Sequence, residues 1–412
     1  MNQTRPRPRS HRAAAVRAAL GAVVLAAVLA PSAAAVTGER MMVTGSGYTL
    51  YARKWDHQQV RIVTFYGEDG FVVRPALAYS ALSGRKVTSK VGAEHGALMA
   101  TNGGFRAGGT DAPRHLTVID GELITTGSPS QMGWTLSTTA DGTQAWVGRR
   151  SISITATQGA VSFAVVGWNA QQPSKGTVTA FTTRGGTSRY PSTHTCSAFL
   201  QREPGTLESR TYLVTAVRSD CTKPSIQPSG GHGNVVLAGK PVGQLVVGQP
   251  VTITVDLGHP GVANVMGGLP RLVKHGVNVG PACLETCGPK RGPDRAFYGR
   301  NPRTAVGIGR GCVDGRGTTP CEYFLVTVDG RLPGWSDGLR FPGLGHLLVD
   351  LGAWGAVNLD GGGSTTMWTR ARSAACQSKT EVGCLVNRTS YGQRRVVDAT
   401  VMVPVPTASP SP

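Results

Sequence analysis

Residues 357–368 bring a carboxylate, three consecutive glycines and three hydroxyl groups together in one short stretch, Val-Asn-Leu-Asp-Gly-Gly-Gly-Ser-Thr-Thr-Met-Trp. A short apolar run ends at Asp360, so we expect this carboxylate to stand where a buried strand emerges. Glycines permit backbone conformations closed to other residues and let a ligand approach the main chain closely. Successive backbone N–H groups and hydroxyls could therefore bind an anion. The donors would be Gly361, Gly362, Gly363, Ser364, Thr365 and Thr366. A tight turn is the alternative, but Asn358 and Ser364 beside Asp360 favour a site.

Three further segments share this design, in which an apolar strand ends in glycine and polar residues. They are residues 101–105, 301–307 and 329–331. If the four strand ends converge, arginines, a carboxylate, carboxamides and backbone donors surround one pocket. Arg303 and Arg331 could then hold a phosphate or carboxylate through forked, bidentate hydrogen bonds. Asp360 would act as general base, nucleophile or cation stabiliser. Either arginine alone is more simply explained by a salt bridge, so the prediction depends on their joint occurrence.

The composition predicts a β-rich fold that must position these segments. The chain has 412 residues, 40% of them hydrophobic and 16% charged, with 56 glycines and 26 prolines. Long apolar periodic runs are few, which predicts an α+β protein with a mixed sheet, few helices and many loops. The best helix candidate is 343–352, where leucines fall on one face and Gly352 provides a stop. Residues 144–260 resemble a run of short strands.

The N-terminus has the pattern of a secretory signal peptide. Five arginines precede an apolar run at 18–30, and a small-residue cleavage site follows at 33–35. We therefore predict a signal peptide at 1–35, a loosely attached extension at 36–60, a main domain at 61–403 and a disordered tail at 404–412. An uncleaved anchor is the alternative, although the apolar run is short for one. No second stretch could span a membrane, so the mature chain is expected to be secreted.

The charge is strongly positive. The formal net charge is +19, and removal of the five signal-peptide arginines leaves about +14 (19 − 5). A basic exported protein is attracted to polyanions such as cell-wall polymers or phosphorylated glycans. No basic helix, zinc finger or aromatic-basic repeat is present, which argues against specific nucleic-acid recognition.

Eight cysteines fall into neighbouring pairs along the chain. Export makes disulfides the default state, and an even count agrees with this. The predicted pairs are Cys196–Cys221, Cys283–Cys287, Cys312–Cys321 and Cys376–Cys384. A zinc site would need paired Cys-x-x-Cys or Cys/His clusters, which are absent from the sequence. We predict no metal and no cofactor; a structural calcium ion could occupy an Asp-Gly loop, but the spacing does not require one.

The motifs, taken together, resemble those of the phosphodiester glycosidase family over about residues 97–403. The matching segments are Asn-Gly-Gly-Phe at 102–105, Gly-Gly-Leu-Pro-Arg-Leu-Val at 267–273, Arg-Thr-Ala-Val-Gly at 303–307, Val-Asp-Gly-Arg at 328–331, Leu-Gly-Ala at 351–353 and Asn-Leu-Asp-Gly-Gly-Gly-Ser-Thr-Thr-Met at 358–367. The chain departs from the family pattern in three places. Phe105 is followed by Arg106 instead of an aromatic residue, Gly343 stands where many members have a glutamate, and residues 150–260 exceed the family minimum.

The resemblance implies hydrolysis of a sugar-1-phosphodiester at the glycosidic C–O bond, in extracellular or cell-wall glycans. Phosphate is a good leaving group, so charge stabilisation matters more than a strong general acid. Asp360, Arg303 and Asn102 are the predicted catalytic residues. The predicted substrate-binding residues are Arg331, Asp329, Thr304, Gly103, Gly104, Gly361, Gly362, Gly363, Ser364, Thr365 and His115. Two alternatives remain, a phosphodiesterase that cuts the P–O bond and a non-catalytic glycan-binding protein, which Gly343 keeps open.

Overall fold

The computed structural model describes residues 40–45, 47–127, 133–170, 176–186, 194–281, 297–314, 319–372 and 376–405. The predicted signal peptide at 1–35, the predicted Cys283–Cys287 pair and the predicted tail beyond residue 405 lie outside the described residues.

An eight-stranded antiparallel sheet forms the centre of the molecule. In spatial order its strands are β1 (Arg40–Gly45), β2 (Tyr48–Trp55), β3 (Gln58–Tyr66), β22 (Glu322–Val328), β21 (Arg303–Ile308), β23 (Gly355–Asn358), β19 (Arg271–Lys274) and β20 (Val277–Asn278). Both faces of this sheet are covered. In β22, Phe324 and Val326 pack into one core, and Tyr323 and Leu325 pack into another. The near-continuous apolar run of this strand follows from burial on both faces, since side chains alternate along a strand.

The N-terminal segment belongs to this sheet. Residues 36–60 were expected to be loosely attached, but β2 pairs with β3 along its whole length, from Tyr48 with Phe65 to Trp55 with Gln58. Leu50 is fully buried in the core. The expectation of a loose extension is therefore wrong from Arg40 onward, because hairpin pairing with β3 supplies both hydrogen bonds and apolar burial.

Smaller sheets pack against the central one. A six-stranded sheet has the order β25 (Ser378–Lys379), β26 (Cys384–Leu385), β24 (Met367–Thr369), β6 (Met99–Asn102), β28 (Asp398–Pro404) and β4 (Phe71–Leu77). A two-stranded sheet joins β27 (Arg395–Val396) to β5 (Lys86–Val87). A five-stranded sheet has the order β10 (Ala145–Gly148), β9 (Trp134–Thr139), β18 (Val262–Gly268), β7 (Thr117–Ile119) and β8 (Glu122–Thr125). Met99, Met402 and Leu136 join these layers to the core under Leu325.

Helices are few in the described part of the chain. They are α1 (Thr88–Glu94), α2 (Gly311–Asp314) and α3 (Phe341–Asp350), with short 3-10 segments at Gly67–Asp69, Thr183–Gly185, Lys240–Gln244 and Gly362–Ser364. Helix α3 confirms the helix predicted at 343–352 with a shift of two residues, because Pro342 fits the first turn of a helix. Leu344, Leu347 and Leu348 are buried against the central sheet. None of these described helices has the length and hydrophobicity needed to cross a bilayer.

The described part of residues 150–260 forms a closed barrel. Its strands, in order around the barrel, are β11 (Ser153–Gln158), β12 (Val161–Trp168), β13 (Val178–Phe181), β16 (Val235–Ala238), β14 (Ser197–Gly205), β15 (Ser209–Arg218) and β17 (Pro250–Asp256). The interior is filled by apolar side chains such as Ala156, Leu200 and Val214. Leu123 and Val265 of the five-stranded sheet belong to the same core, so the barrel shares its interior packing with the rest of the domain.

Three of the predicted disulfides are confirmed, Cys196–Cys221, Cys312–Cys321 and Cys376–Cys384. The predicted β-rich class with few helices is confirmed as well. The strands are divided among several sheets and a barrel, and the strand pairs are antiparallel in the described residues apart from β12 with β13.

Candidate functional site

Asp360 follows the end of β23 and lies half-buried at the predicted position. Its Oδ1 accepts a hydrogen bond from the Gly361 backbone N–H at 2.9 Å, and its Oδ2 accepts one from the Ser364 hydroxyl at 2.7 Å. Burial raises the pKa of Asp360, while these two hydrogen bonds and the nearby Arg394 act in the opposite direction. The carboxylate is therefore held in a fixed orientation.

Asn102 joins the strand ends behind this carboxylate. Its carboxamide nitrogen donates to the Asp360 carbonyl at 2.7 Å, and its oxygen accepts from the Thr304 hydroxyl at 2.7 Å and the Thr366 backbone N–H at 3.2 Å. The side chain is fully buried. Three of the four predicted segments therefore meet at this residue, which acts as a positioning residue for Asp360.

The glycines let arginines lie against the main chain. A Cβ at Gly362 would be 3.2 Å from Arg331 Nη2, and a Cβ at Gly363 would be 2.5 Å from Arg394 Nη2. Gly362 also has a φ of +60°, a backbone angle that residues with a side chain rarely adopt. The triple glycine thus brings two guanidinium groups beside Asp360.

A first cavity of about 180 Å³ opens on one side of Asp360. It is lined by Phe105, Phe297, Asn301, Arg303, Arg331, Asn358, Asp360, Gly361, Gly362, Gly363 and Arg394. Arg331 donates through Nε and Nη2 to Asn301 Oδ1, at 3.1 and 2.6 Å, which fixes its orientation. Arg303 donates to the carbonyls of Leu339, Phe297 and Gly299, and burial followed by the charge of Arg331 lowers its pKa to about 9. Arg303 therefore remains a cation at neutral pH.

A second cavity of about 280 Å³ is also lined by Asp360. It is lined by Arg85, Gly104, Arg106, Asp360, Ser364, Arg394, Arg395, Val396 and Val397. Asp360 and Arg394 line both cavities, and Asp360 is the only carboxylate among the described residues that do so. Arg106, which replaces the aromatic residue expected from the family pattern, thus adds a positive charge to this wall.

Several predicted site residues stand behind the two cavities. Asn102, which was predicted to be catalytic, lines neither cavity, and the same holds for Asp329, Thr304, Thr365, Gly103 and His115. Asp329 accepts from the Trp335 Nε1–H at 2.9 Å and is fully buried, which raises its pKa. Burial, followed by the charge of Arg114, lowers the pKa of His115 to about 4, and its ring packs edge-on against Phe105. These residues therefore support the cavity walls.

Two charged residues near Asp360 are absent from the sequence-based prediction: Arg394, which lines both cavities, and Asp398, which lies behind them. Arg394 is part of the Arg394-Arg395 pair that precedes the last strand, so the doubled arginine was the available signal. Asp398 opens β28 and lies beneath Gly103, where an added Cβ would be 2.5 Å from its Oδ1. Burial, opposed by a hydrogen bond from the Gly104 N–H and reinforced by the Asp360 charge, raises its pKa to about 7. The apolar alternation around Asp398 carried no sign of this proximity.

The position at which many family members have a glutamate, Gly343, does not line either cavity, and the described residues hold no metal-binding cluster. Gly343 lies in α3, where its Cβ would face Leu339 and Trp55, and it lines neither cavity. Among the described residues, no group of three His, Cys, Asp or Glu side chains is arranged to hold a metal ion.

The model of the phosphodiester glycosidase family matches residues 215–403. Over these residues, which include Arg303, Arg331, Asp360 and Arg394, the chain matches the family model, and the resemblance indicated by the motifs is confirmed. The family is one of glycosidase-type hydrolases. A search of curated proteins finds no match.

Solved structures with a similar fold come from bacteria. A hypothetical protein from Synechocystis is 22% identical with a TM-score of 0.64, over 88% of this chain and 63% of that one. A protein from Burkholderia pseudomallei is 20% identical with a TM-score of 0.56, over 84% of this chain and 74% of that one. The chain thus spans less than two thirds of the Synechocystis protein. The catalytic domain of zebrafish N-acetylglucosamine-1-phosphodiester alpha-N-acetylglucosaminidase aligns at 12% identity with a TM-score of only 0.38, over 89% of this chain and 88% of that one.

Proposed function

We propose that the protein hydrolyses the glycosidic C–O bond of sugar-1-phosphodiesters in extracellular or cell-wall glycans. The observation that carries this proposal is the position of Asp360, the single described carboxylate between two arginine-lined cavities. An anionic phosphodiester fits such walls, and a lone carboxylate suits a reaction in which positive charge develops at the sugar.

In the proposed reaction, water attacks the anomeric carbon and the C–O bond breaks. The electron pair of that bond leaves with the phosphate, which departs as a monoester. Arg331, held by Asn301, and Arg394 stabilise the charge on the departing oxygens. Asp360 stabilises the oxocarbenium-like centre or accepts the proton of the attacking water. Ser364 holds Oδ2, so one carboxylate oxygen keeps a constant direction throughout.

The arginines that line the second cavity favour a substrate with a negative charge beyond the scissile phosphate. Arg85 forms an ion pair with Asp111 at 3.1 Å, and Arg106 donates to the Thr110 carbonyl at 2.9 Å. Arg394 and Arg395 have no described ion pair. This side of Asp360 therefore suits a further anionic group, as in a glycan with repeated phosphates.

We further propose that the protein acts outside the cell. Three disulfides, the signal-peptide pattern at 1–35 and the basic mature chain support this location. Such a protein would meet anionic polymers at the cell surface.

The test uses protein that begins at Val36, folded under oxidising conditions, and sugar-1-phosphate diesters in oxygen-18 water. Mass spectrometry then locates the label. Label in the released sugar is the expected result, because water attacks carbon. Label in the phosphate would instead identify a phosphodiesterase. Absence of product across a panel that includes N-acetylglucosaminyl compounds would favour a non-catalytic glycan-binding protein.

A further inference from the structure

A third cavity of about 290 Å³ lies apart from the two around Asp360 and shares no lining residue with them. We call it the tryptophan groove. Its chemically active lining residues are Trp146, Trp354, Arg149, Arg150, Arg271 and His259, and His275 lies beside Trp354. No carboxylate is found among the described residues that line it. The groove is therefore strongly basic.

Aromatic rings and cations alternate around this groove. His259 stacks on Trp146 with ring centroids 4.6 Å apart, and the Arg150 guanidinium lies 5.6 Å from the same ring. His275 stacks on Trp354 at 5.3 Å. The indole groups are thus already engaged by histidine and arginine, so they offer little free face for stacking a nucleobase. What the groove presents to a ligand is mainly N–H donors and positive charge.

Arg150 has an unused donor in this wall. The residue is 8% exposed, its Nε donates to the Ser137 hydroxyl at 2.9 Å, and its Nη1 donates to the Leu257 carbonyl at 3.2 Å. Its Nη2 is buried and has no hydrogen-bond partner in the described structure. Because Nη2 itself is buried, Arg150 contributes its positive charge to the groove and not a hydrogen bond from this atom.

The charges of the groove are also uncompensated. Arg149, Arg150 and Arg271 form no ion pair with any residue that the structure describes. Burial lowers the pKa of Arg150 only to about 10, so it stays charged at neutral pH. Three guanidinium groups beside one cavity repel one another unless an anion lies among them.

We propose that the tryptophan groove binds an anionic sugar unit of a polysaccharide, separately from the reaction at Asp360. A charged sugar supplies the anion that the guanidinium groups lack among the described residues, and its hydroxyl groups match the donors of Arg149, Arg271 and the histidines. The groove begins at Trp354 and Gly355, and the site carboxylate follows the other end of the same strand, β23.

The test measures binding of trigalacturonate, maltotriose phosphate and neutral maltotriose by titration calorimetry at physiological salt. Each ligand is titrated into the Val36-start chain carrying Asp360→Asn, so that binding is measured without turnover. We expect one or both anionic trisaccharides to bind, and maltotriose to bind at least tenfold more weakly. The two anionic probes distinguish a carboxylate from a phosphate ligand. Equal binding of maltotriose, or no binding of any trisaccharide, would overturn the proposal.

Site-specific variants separate the groove from the overall positive charge. Arg149→Gln and Arg150→Gln should each weaken anionic trisaccharide binding at least tenfold. Lys54→Gln, which removes an exposed charge on β2, should change it less than twofold. Arg149 is exposed, so its variant is expected to fold even if the buried Arg150 variant does not. Unchanged binding by Arg149→Gln, or tighter binding of a thymidine trinucleotide than of either anionic sugar, would contradict the proposal.

Discussion

Two carboxyl groups near the triple glycine have different surroundings. Asp360 faces two cavities and receives hydrogen bonds from Gly361 and Ser364. Asp398 is 4% exposed, and its Oδ1 has no partner in the described residues. Burial and the neighbouring Asp360 charge raise the pKa of Asp398 to about 7. Of the two carboxyl groups, only Asp360 lines the cavities, so it is the one placed to meet a ligand.

The Asp360→Asn variant should lose turnover and keep its fold. The amide retains the size of the side chain, but it cannot stabilise positive charge or accept a proton. We expect kcat to fall by about 10²–10⁴-fold, as is typical for loss of a general base. Release of phosphate monoester measures this. Asp337→Asn, at an exposed carboxylate on a nearby loop, is the control and should leave kcat within a factor of about two; retained activity of Asp360→Asn would refute its role.

Arg331→Lys should raise KM for a phosphodiester about tenfold. Lysine keeps the charge but cannot donate through two nitrogens to Asn301 Oδ1 while directing a third toward the substrate. Arg300→Lys is a matched control, because Arg300 is bound to the Gly338 carbonyl and lines neither cavity. Equal KM values for the two variants would exclude a substrate contact by Arg331.

Asp398 should make stability depend on pH. Its pKa is raised in the folded chain, to about 7 from 3.8, so the folded state binds the proton more tightly than the unfolded state. The resulting stabilisation is complete below about pH 4 and is lost as pH rises through about 7, and it amounts to about 4 kcal/mol at most. Chemical denaturation from pH 4 to 8 should show that Asp398→Asn lacks this decline. The same decline of stability with pH in the unmodified protein and in Asp398→Asn would contradict this role of Asp398.

At the scale of elements, the Arg394 side chain restricts which residues the loop after β23 can contain. A Cβ at Gly363 would overlap the end of the Arg394 side chain, which is exposed and can move. Gly363→Ala should therefore displace Arg394 while changing the melting temperature little. Substrate affinity should fall, and combining this change with Arg394→Ala should add nothing further. Gly108→Ala, with open space around it, is the control; additive effects in the double variant would show that the glycine acts independently of Arg394.

Those features of the site that depend on neighbouring residues could be predicted from the sequence. The apolar residues before Asp360 and the glycines after it predicted its position at the end of a strand. The spacing of the leucines predicted α3. Both patterns involve only residues that are close in sequence. Arg394 and Asp398 were not predicted, since they reach the site only when β27 pairs with β5 and β28 pairs with β6. The largely apolar sequence of β28 indicates that this strand is buried, but not which strand lies beside it. The sequence predicted the barrel only as a run of short strands. Its closure could not be predicted, because β11 pairs with β17, which lies about a hundred residues later.

At the scale of the molecule, the barrel and the five-stranded sheet share a core. Leu123 and Val265 contribute to the barrel interior, so removal of residues 150–260 would expose apolar surface. The Cys196–Cys221 disulfide closes a loop with a sequence separation of 25 residues at the barrel wall. Replacing both cysteines by alanine should lower the free energy of unfolding by about 3 kcal/mol, through greater freedom of the unfolded chain.

Urea denaturation monitored by tryptophan fluorescence measures this loss. The double variant of Cys376 and Cys384, with a separation of 8 residues, should lose slightly less because the closed loop is shorter. Full stability after removal of Cys196–Cys221 would mean that barrel packing alone restrains these strands.

The two cavities that meet at Asp360 have a consequence for how a polymer is degraded. Under the proposed function, a long chain has room for units in each of the two cavities that Asp360 lines. Interior linkages are then as accessible as terminal ones, so the enzyme would be endo-acting. A phosphate-linked glycan should lose viscosity early in digestion, and fragments of mixed length should accumulate before free monosaccharide does.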